Sequence, residues 1–396
     1  MKNFVFLSPN FPETYWMFCN RLKENGMRVL GIGDCPYDNL KQELRDSLDE
    51  YYKVDNLGNY DEVFRAVAFF TYKYGKIDWL ESNNEFWLER DAKLRTEFHI
   101  TSGFMEEDME KVKRKSAMKA YYEKAGLKTA RYHLVEDFEG AAAFANTVGY
   151  PVVVKPDNGV GAISTYRLHS DDDLRFFMDT KPQGIQFLME EMVKGTVVTY
   201  DAIIDADGQP IFESGNVTLD SLMDVVNENK ESLYYLHKEV PAEIRDAGLR
   251  TVAAFGVKSR FVHLEFFRLD EDQEGLGNAG DIIGLEVNMR PAGGYTPDMY
   301  NYAYETDVYK IWADMICFNA STKPLGQRHY CVFMGRRDGV QYAMDHDAVM
   351  AKYGHCMKMQ GRIPDALSGA MGNIMYVVNL NTEEERDQFY LDLLQR

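Results

Sequence analysis

The hydrophobic pattern at the start of the chain predicts alternating strands and helices. Apolar runs at residues 4–7 and 27–32 flank a helical segment at 15–25, which Gly26 ends. A strand, a helix and a second strand in this order are typical of a parallel α/β unit. The turn at residues 8–12 lacks the glycines that a dinucleotide-binding turn requires. The pattern therefore predicts an α/β domain without an NAD or FAD site.

The middle of the chain predicts a change from short elements to longer strands. Residues 111–186 have the pattern of a small α+β unit, and the strands that follow are longer. Residues 216–237 are polar and are predicted to be irregular, and a polar loop at 81–85 is interpreted as a helix cap. We predict four units, at residues 1–110, 111–186, 187–320 and 321–396.

The segment from residue 282 to 294 has an unusual polar face. Because strand side chains alternate between two faces, one face is predicted to carry Glu286, Asn288 and Arg290. The other face is predicted to carry four apolar side chains, those of Ile283, Leu285, Val287 and Met289. A carboxylate, an amide and a guanidinium on one face suggest metal or phosphate chemistry, since burying such groups without partners is costly.

A second strand, predicted at residues 261–268, supplies a further carboxylate. His263 and Glu265 share one of its faces. If the two strands pair antiparallel, Glu265 meets Glu286 and Asn288, and three oxygen ligands of the kind that Mg²⁺ prefers converge. The plain alternative is an edge strand whose acids are solvated.

Composition and charge narrow the function classes. The 44 Lys and Arg residues against 63 Asp and Glu give a net charge of −19, which disfavours a basic surface for nucleic acid or an anionic membrane. Five scattered cysteines suggest neither a disulfide framework nor a zinc site, and no apolar run is long enough for a membrane span. We expect a cytoplasmic protein that binds small molecules, with a homodimer compatible with the sequence.

Basic residues and glycines then suggest a phosphate site. Lys155 ends an apolar strand and precedes Gly159 and Gly161, whose backbone N–H groups could approach phosphate. Lys115 begins a helix earlier in the chain. For either lysine alone, a solvated surface charge is the plain alternative. The loop is weaker than a P-loop because it lacks the GK[ST] sequence.

Taken in order, these motifs resemble the ATP-grasp superfamily of carboxylate–amine ligases, related to biotin carboxylase and carbamoyl phosphate synthetase. The resemblance implies an ATP-grasp fold of mixed α/β and α+β class, with an N-terminal Rossmann-like domain, a small lid subdomain and an antiparallel-sheet subdomain. It implies that ATP is bound through Lys115, Lys155, Gly159, Gly161, Glu190, Glu191 and Val193, and that metal is bound through Glu265, Glu286 and Asn288. Lys115 matches the family pattern better than Lys113 or Lys119.

The resemblance also implies a reaction. ATP with two Mg²⁺ ions, for which Mn²⁺ is an alternative, would activate a carboxylate as an acyl phosphate that an amine attacks. Arg290 would be catalytic, and His263, Gly293 and Gly294 are candidate substrate contacts. The expected substrates are small carboxylates and amines of the amino-acid or small-peptide type. Two alternatives stay open, namely a bicarbonate-activating enzyme and an ATP-binding regulator without turnover. Asp201, His237 and Lys238 have no assigned role.

Overall fold

A computed structural model describes residues 1–159, 164–219 and 222–396. In these residues three β-sheets, each flanked by helices, carry the fold. No helix in the described ranges is long and apolar enough to cross a membrane. The Gly161 prediction lies outside the described residues.

The first sheet is parallel and has the strand order β3-β2-β1-β4. Its buried strands alternate with helices, as the apolar runs at the start of the chain predict. The elements are β1 (Asn3–Leu7), α1 (Trp16–Glu24), β2 (Arg28–Gly33), α2 (Gln42–Ser47), β3 (Glu50–Lys53), α3 (Tyr60–Tyr74), β4 (Trp79–Glu81) and α4 (Leu88–Glu97). The carboxyl ends of β1 and β4 are adjacent, so the loops that follow them lie side by side.

The second sheet is small and antiparallel, with the order β5-β8-β6-β7. Its elements are α5 (Met109–Lys113), α6 (Lys115–Lys124), β5 (Tyr132–Val135), α7 (Phe138–Val148), β6 (Val152–Pro156), β7 (Tyr166–Leu168), α8 (Asp171–Thr180) and β8 (Phe187–Glu191). Strand β8 lies between β5 and β6, although the sequence pattern groups it with the strands that follow. Its hydrogen bonds to both neighbours place it in the small sheet.

The third sheet is antiparallel and has the order β14-β13-β9-β11-β12-β15-β17-β16, with β10 paired to β9. Its first elements are β9 (Gly195–Ile204), β10 (Pro210–Ser214), β11 (Asn216–Thr218), α9 (Leu222–Asn227), β12 (Ser232–Leu236), α10 (Ala242–Phe255), β13 (Arg260–Leu269) and β14 (Ile282–Asn288). The rest are α11 (Thr296–Tyr304), α12 (Val308–Phe318), β15 (Tyr330–Arg336), α13 (His346–Tyr353), β16 (Met357–Arg362), α14 (Asp365–Met371), β17 (Ile374–Leu380) and α15 (Glu383–Leu394).

The prediction that residues 216–237 are irregular is wrong. This segment contains β11, α9 and β12, and β12 pairs with β15 over five residues. Its polar composition hides the strand because the partner of β12 comes about a hundred residues later. Pairing with distant residues, which a local pattern does not contain, stabilises it.

A β-bulge changes the predicted faces of β14. Glu265 pairs with Glu286, but the next residue of β13, Phe266, pairs with Gly284, so Leu285 is the extra residue. Beyond the bulge the alternation reverses. Ile283 therefore packs with Phe267 in a small separate cluster, whereas Val287 lies in the main core. The prediction that Ile283 and Val287 share a face is wrong for this reason.

The parallel sheet and the large sheet share an aromatic core. Trp312 of α12 packs against Phe18 of α1 and Phe4 of β1, with ring centroids 4.9 Å and 5.7 Å apart. All three side chains are fully or almost fully buried. This packing fixes the loops after β1 and β4 against the end of β14, where the polar segment lies.

Truncating this core is expected to destabilise the protein. We expect Trp312→Ala to lower the free energy of unfolding by about 3–5 kcal/mol, because it removes a buried aromatic side chain and leaves a cavity. Urea unfolding followed by tryptophan fluorescence and circular dichroism measures the change. The control is Phe318→Ala at the exposed end of the same helix, which should change stability by less than about 0.5 kcal/mol. Equal effects of both variants would contradict the shared core.

Candidate active site

The carboxylates of β13 and β14 come together as the alternation predicts. The two strands pair antiparallel, with Glu265 opposite Glu286 and His263 opposite Asn288. Directly opposite side chains on one face of a sheet lie close together, and His263 and Glu265 share a face as residues i and i+2. The register therefore brings Glu265, Glu286 and Asn288 to one patch of the large sheet.

The chemistry of this patch suits a divalent cation with hard oxygen ligands. Two carboxylates and an amide oxygen are the donors that Mg²⁺ accepts, with the remaining positions taken by water and phosphate. In the described ranges no three His, Cys, Asp or Glu side chains are arranged to hold a metal by themselves. A bound ion would therefore take ligands from Asn288 and from a substrate as well. Burial alone would raise the pKa of Glu265, but His263, Arg290 and Lys115 together lower it by more. The pKa is therefore below its usual value, and the carboxylate is charged at neutral pH.

His263 is held on both sides by carboxylates. Its Nδ1 lies 2.5 Å from Asp201 Oδ1, and its Nε2 lies 3.0 Å from Glu265 Oε1. The Thr199 hydroxyl donates to the other oxygen of Asp201 over 2.7 Å. Burial lowers the pKa of His263, but Asp201 and Glu265 raise it to about 9. His263 therefore orients Glu265, and Asp201, which had no assigned role, orients His263.

Lys115 reaches this patch from α6, and Lys155 lies on the neighbouring small sheet. Lys115 Nζ lies 3.2 Å from Glu286 Oε1 and 3.4 Å from the Gly159 carbonyl. Lys155 Nζ lies 2.6 Å from Glu190 Oε2 on the small sheet. Both lysines are buried, so these ion pairs are weakly screened by water. Lys115 thus links α6 to the glycine loop and to the large sheet.

Lys119 is a third cation that the sequence interpretation ranked below Lys115. It forms an ion pair with Glu190, which it shares with Lys155. Burial raises the pKa of Glu190, but the two lysines lower it to about 2. One signal was present in the sequence, because Lys115 and Lys119 are four residues apart and lie on the same face of a helix. Lys113 points elsewhere and pairs with Glu85 at 2.6 Å.

Asp157, which the sequence interpretation missed, fixes the glycine loop to the start of α6. Its carboxylate accepts from the Ser116 N–H at 2.8 Å and from the Ser116 hydroxyl at 2.9 Å. Its carbonyl accepts from the Lys115 N–H at 2.9 Å. These bonds hold the first residues after β6 against α6, and so they set the distance between Lys115 and Lys155.

Cutting this link is expected to impair nucleotide binding without unfolding the protein. We expect Asp157→Ala to raise the apparent Kd for ATP about tenfold, because Lys115 and Lys155 are then no longer held at a fixed distance from each other. Fluorescence titration with a labelled ATP analogue measures the change. Asp137→Ala is the matched control. It removes the hydrogen bond by which Asp137 caps the N-terminus of α7 in the same subdomain, but it lies away from the two lysines. A comparable loss of affinity in both variants would argue against this role.

The predicted ATP-binding residues Glu190, Glu191 and Val193 lie at the end of β8 and just after it. Glu191 is held by Arg131, which donates its own N–H and its guanidinium to the carboxylate at 2.7 Å each. The Glu191 N–H donates to the Arg131 carbonyl at 3.1 Å. Val193 is buried in a small apolar cluster beside the β13–β14 hairpin. The Glu190 side chain forms ion pairs with Lys119 and Lys155. Arg131, which holds Glu191, was not named from the sequence.

Arg290 ends the polar face and contacts the loop after β4. Its Nη2 donates to Asn288 Oδ1 at 3.1 Å, its Nη1 donates to the Pro291 carbonyl at 2.8 Å, and its Nε lies 3.4 Å from Glu85 Oε2. The interpretation of residues 81–85 as a cap holds for Asn84, whose side chain accepts from the Phe86 N–H. It overlooks Glu85, which pairs with both Arg290 and Lys113. Only the packed structure brings these residues together.

The two glycines after Arg290 differ in their surroundings. Gly294 has a positive φ of +61°, and a Cβ there would lie 2.5 Å from the Met371 sulfur of α14. A Cβ at Gly293 would meet nothing within 4 Å. The packing of Met371 therefore accounts for Gly294, while Gly293 has open space beside it. Substrate contacts at either glycine stay a prediction.

The arrangement of the three sheets defines the fold of the chain. A parallel α/β domain, a small antiparallel sheet and a large antiparallel sheet that carries Glu265 and Glu286 make up the ATP-grasp fold, and the fold prediction is confirmed. The relatives and structural neighbours include L-amino acid ligases, carbamoyl phosphate synthase large chains and N5-carboxyaminoimidazole ribonucleotide synthetases, in line with the resemblance.

Comparisons of sequence give distant relatives. The chain is 25% identical to the L-arginine-specific L-amino acid ligase of Bacillus subtilis over 254 residues, which is 62% of this chain and 59% of that protein. It is 32% identical to the carbamoyl phosphate synthase large chain of an Arthrobacter species over 192 residues, 43% of this chain and 16% of that one. The matches thus cover less than two thirds of these relatives. No family model matches the chain.

Solved structures match over almost the whole chain. The L-amino acid ligase of Bacillus licheniformis has a TM-score of 0.69 at 13% identity, covering 100% of this chain and 99% of that one. An ADP complex of N5-carboxyaminoimidazole ribonucleotide synthetase has a TM-score of 0.69 at 16% identity, covering 98% and 95%. At such low identity these matches establish the fold.

Proposed function

We propose that this protein is an ATP-dependent ligase that activates a carboxylate as an acyl phosphate and joins it to an amine, releasing ADP and phosphate. One observation carries the proposal. Buried lysines of α6 and β6 face the carboxylates of β13 and β14, and Lys115 and Glu286 stand 3.2 Å apart. A site for a nucleoside triphosphate needs cations that bind the phosphates and hard oxygen ligands that bind the metal, and both lie here.

The lysines would hold the phosphate groups of ATP. Lys115, Lys119 and Lys155 are buried and ion-paired. A triphosphate is a stronger partner for such cations than a single carboxylate, because it offers more charge and more acceptor oxygens. Glu265, Glu286 and Asn288 would hold Mg²⁺, which when bound neutralises phosphate charge. Two such ions are part of the proposal.

The chemistry follows from charge. A carboxylate oxygen of the substrate attacks the γ-phosphorus of ATP, and the bond from that phosphorus to the bridging oxygen of ADP breaks. The free amine then attacks the acyl carbon, the bond to the phosphate oxygen breaks, and the amine nitrogen loses a proton as the amide forms. Arg290, which donates to Asn288 at the end of the polar face, would hold the carboxylate and then the negative charge on the acyl oxygen.

The relatives support an amino acid or small peptide as a substrate. Both an arginine-specific L-amino acid ligase and an L-amino acid ligase of solved structure are similar to this chain. Carbamoyl phosphate synthases are similar over a shorter part, so bicarbonate is the competing substrate. We also propose a cytoplasmic location, since the five cysteines carry free thiols.

The test is a coupled assay with Mg-ATP, a pool of L-amino acids and separate omissions of each component. We expect ADP and phosphate to be released together, and a dipeptide mass to appear, only with amino acids present. Glu286→Gln is the negative control, and Glu274→Gln, an exposed acid of the same hairpin, is the matched positive control. Release of ADP with bicarbonate alone would favour the carboxylase alternative. ATP binding without any release would favour a regulator.

A further inference from the structure

Asp298, in the first turn of α11, has a buried carboxylate with an unused oxygen. The side chain is 4% exposed, and its Oδ1 accepts a hydrogen bond from the Tyr309 hydroxyl at 3.0 Å. In the described part of the chain Oδ2 has no hydrogen-bond partner within bonding distance and geometry. Burial has the largest effect on the pKa of this carboxyl, and no lysine, arginine or histidine of the described residues contributes to it. A buried carboxylate without a cation is costly, which calls for a partner from outside the chain.

Aromatic side chains lie beside this carboxylate. The Tyr309 hydroxyl, which donates to Asp298, also lies 3.3 Å from the Thr14 hydroxyl. The Tyr309 ring packs against Phe18, and Phe18 packs against Tyr15, with ring centroids 4.7 Å and 5.1 Å apart. Because aromatic faces attract cations, aromatic side chains beside a carboxylate favour a positively charged ligand.

This carboxylate lies close to the site described above. The Tyr15 hydroxyl donates to the Asn83 carbonyl at 2.9 Å, in the loop after β4. The same loop carries Glu85, whose Oε2 lies 3.4 Å from Arg290 Nε. On the other side, Thr14, the residue before Tyr15, contacts the Tyr309 hydroxyl that donates to Asp298. This chain of contacts has a cationic side chain at one end and an anionic side chain at the other. A small molecule with a carboxylate and an ammonium group has this same pattern of charge.

We propose that Asp298 binds the ammonium group of the amino acid whose carboxylate is activated. The proposal rests on the proposed function. It assigns the ammonium to the activated substrate, since an amine paired with a carboxylate is held in its charged form and cannot attack an acyl carbon. The activated substrate is therefore an amino acid, and a plain carboxylate is a poor one. The attacking amine binds elsewhere, away from Asp298.

The thermal stability of Asp298→Asn distinguishes a ligand-binding role from a purely structural one. If Asp298 served only to stabilise α11 through the helix dipole, its loss should lower Tm. Burial raises the pKa of Asp298 to about 6, while Tyr309 and Thr14 lower it less. An acid with a raised pKa stabilises the folded protein at low pH and loses that contribution as pH rises from 3.8 to about 6. At pH 8, Asp298→Asn should therefore raise Tm, whereas loss of a structural acid should lower it.

The experiment measures acyl-phosphate formation with hydroxylamine as the nucleophile, so that the second substrate need not be known. We compare L-alanine with propionate and L-leucine with 4-methylpentanoate, each pair differing only in the amino group. The wild type should form hydroxamates from the amino acids at least about tenfold more efficiently. Asp298→Asn should raise KM for the amino acids tenfold or more and remove this preference, with the Kd for ATP unchanged.

Binding without ATP separates this proposal from the proposed function. Saturation-transfer NMR with a pool of L-amino acids and the wild-type protein should show binding that Asp298→Asn loses. Asp347→Asn, in the first turn of α13, is the control for a lost helix-terminal charge and should bind normally. Asp298→Glu keeps the charge but displaces it, so it should also lose binding, and it replaces Asp298→Asn in the test if that variant does not fold. Amino acid binding retained by the Asp298 variants, equal use of the desamino acids, or no binding by the wild type would overturn the proposal. Binding without hydroxamate formation would overturn only the ligase activity.

Discussion

Replacing Glu286 by glutamine is expected to abolish the proposed ligase turnover, with kcat reduced by about 10³-fold or more. Glu286 supplies a carboxylate to the proposed Mg²⁺ site and pairs with Lys115 at 3.2 Å. Glutamine has nearly the same shape but carries no charge, so it weakens the hold on a divalent cation and leaves a buried lysine without its partner. Steady-state ADP release measures kcat, and Mn²⁺ binding followed by electron paramagnetic resonance measures the metal site directly.

A matched variant separates loss of the site from general damage to the hairpin. Glu274→Gln removes an exposed carboxylate from the loop that joins β13 to β14, and it should retain both turnover and Mn²⁺ binding. Circular dichroism should show that both variants are folded. If Glu286→Gln turned over ATP at the wild-type rate, the metal assignment of Glu265, Glu286 and Asn288 would be wrong.

Replacing Arg290 by lysine is expected to reduce product formation by about 10²–10³-fold while ATP still binds. The planar guanidinium donates to Asn288 and Pro291 and lies 3.4 Å from Glu85. A lysine ammonium is a point charge that cannot reach these partners together while also holding a substrate carboxylate. Loss of one preorganised donor to a developing oxyanion costs about this much. Single-turnover measurements of amide formation, beside the Kd for ATP, distinguish the two effects.

The control is the same substitution, arginine to lysine, at a position away from the site. Arg362→Lys alters another arginine paired with a carboxylate, that of Asp338 at 2.6 Å, on the exposed strand β16. It should leave product formation unchanged, because surface ion pairs contribute little. An Arg290→Lys enzyme with normal product formation would assign the oxyanion to another group, and one that no longer bound ATP would indicate a structural role.

Strand periodicity made part of this site predictable from the sequence. Glu265 and Glu286 stand on strands whose alternation puts the carboxylates on the polar face, and antiparallel pairing of two neighbouring strands then brings them opposite each other. Lys155 likewise follows from its place at the end of an apolar strand. These inferences hold because they depend on spacing within one element or on the pairing of adjacent strands.

Other features of the site depend on contacts between segments far apart in the chain. Glu190 lies between Lys119 and Lys155, although 71 residues separate it from Lys119. Glu85 reaches Arg290 only because the parallel sheet packs on the large sheet through Trp312. No local pattern contains such contacts, since apolar packing between domains determines them.

The sequence by itself determined the order of strands and helices and the shared faces of His263 with Glu265 and of Glu286 with Asn288, because their spacing follows the period of a strand. The ATP-grasp fold was an implication of the resemblance to that superfamily. The tertiary structure decided the rest. It placed the bulge at Leu285, joined Asp201 to His263, and buried Asp298 beside Tyr309. These arrangements depend on strand register and on packing between segments that are distant in the sequence. The alternation of side chains within a single strand carries no information about either.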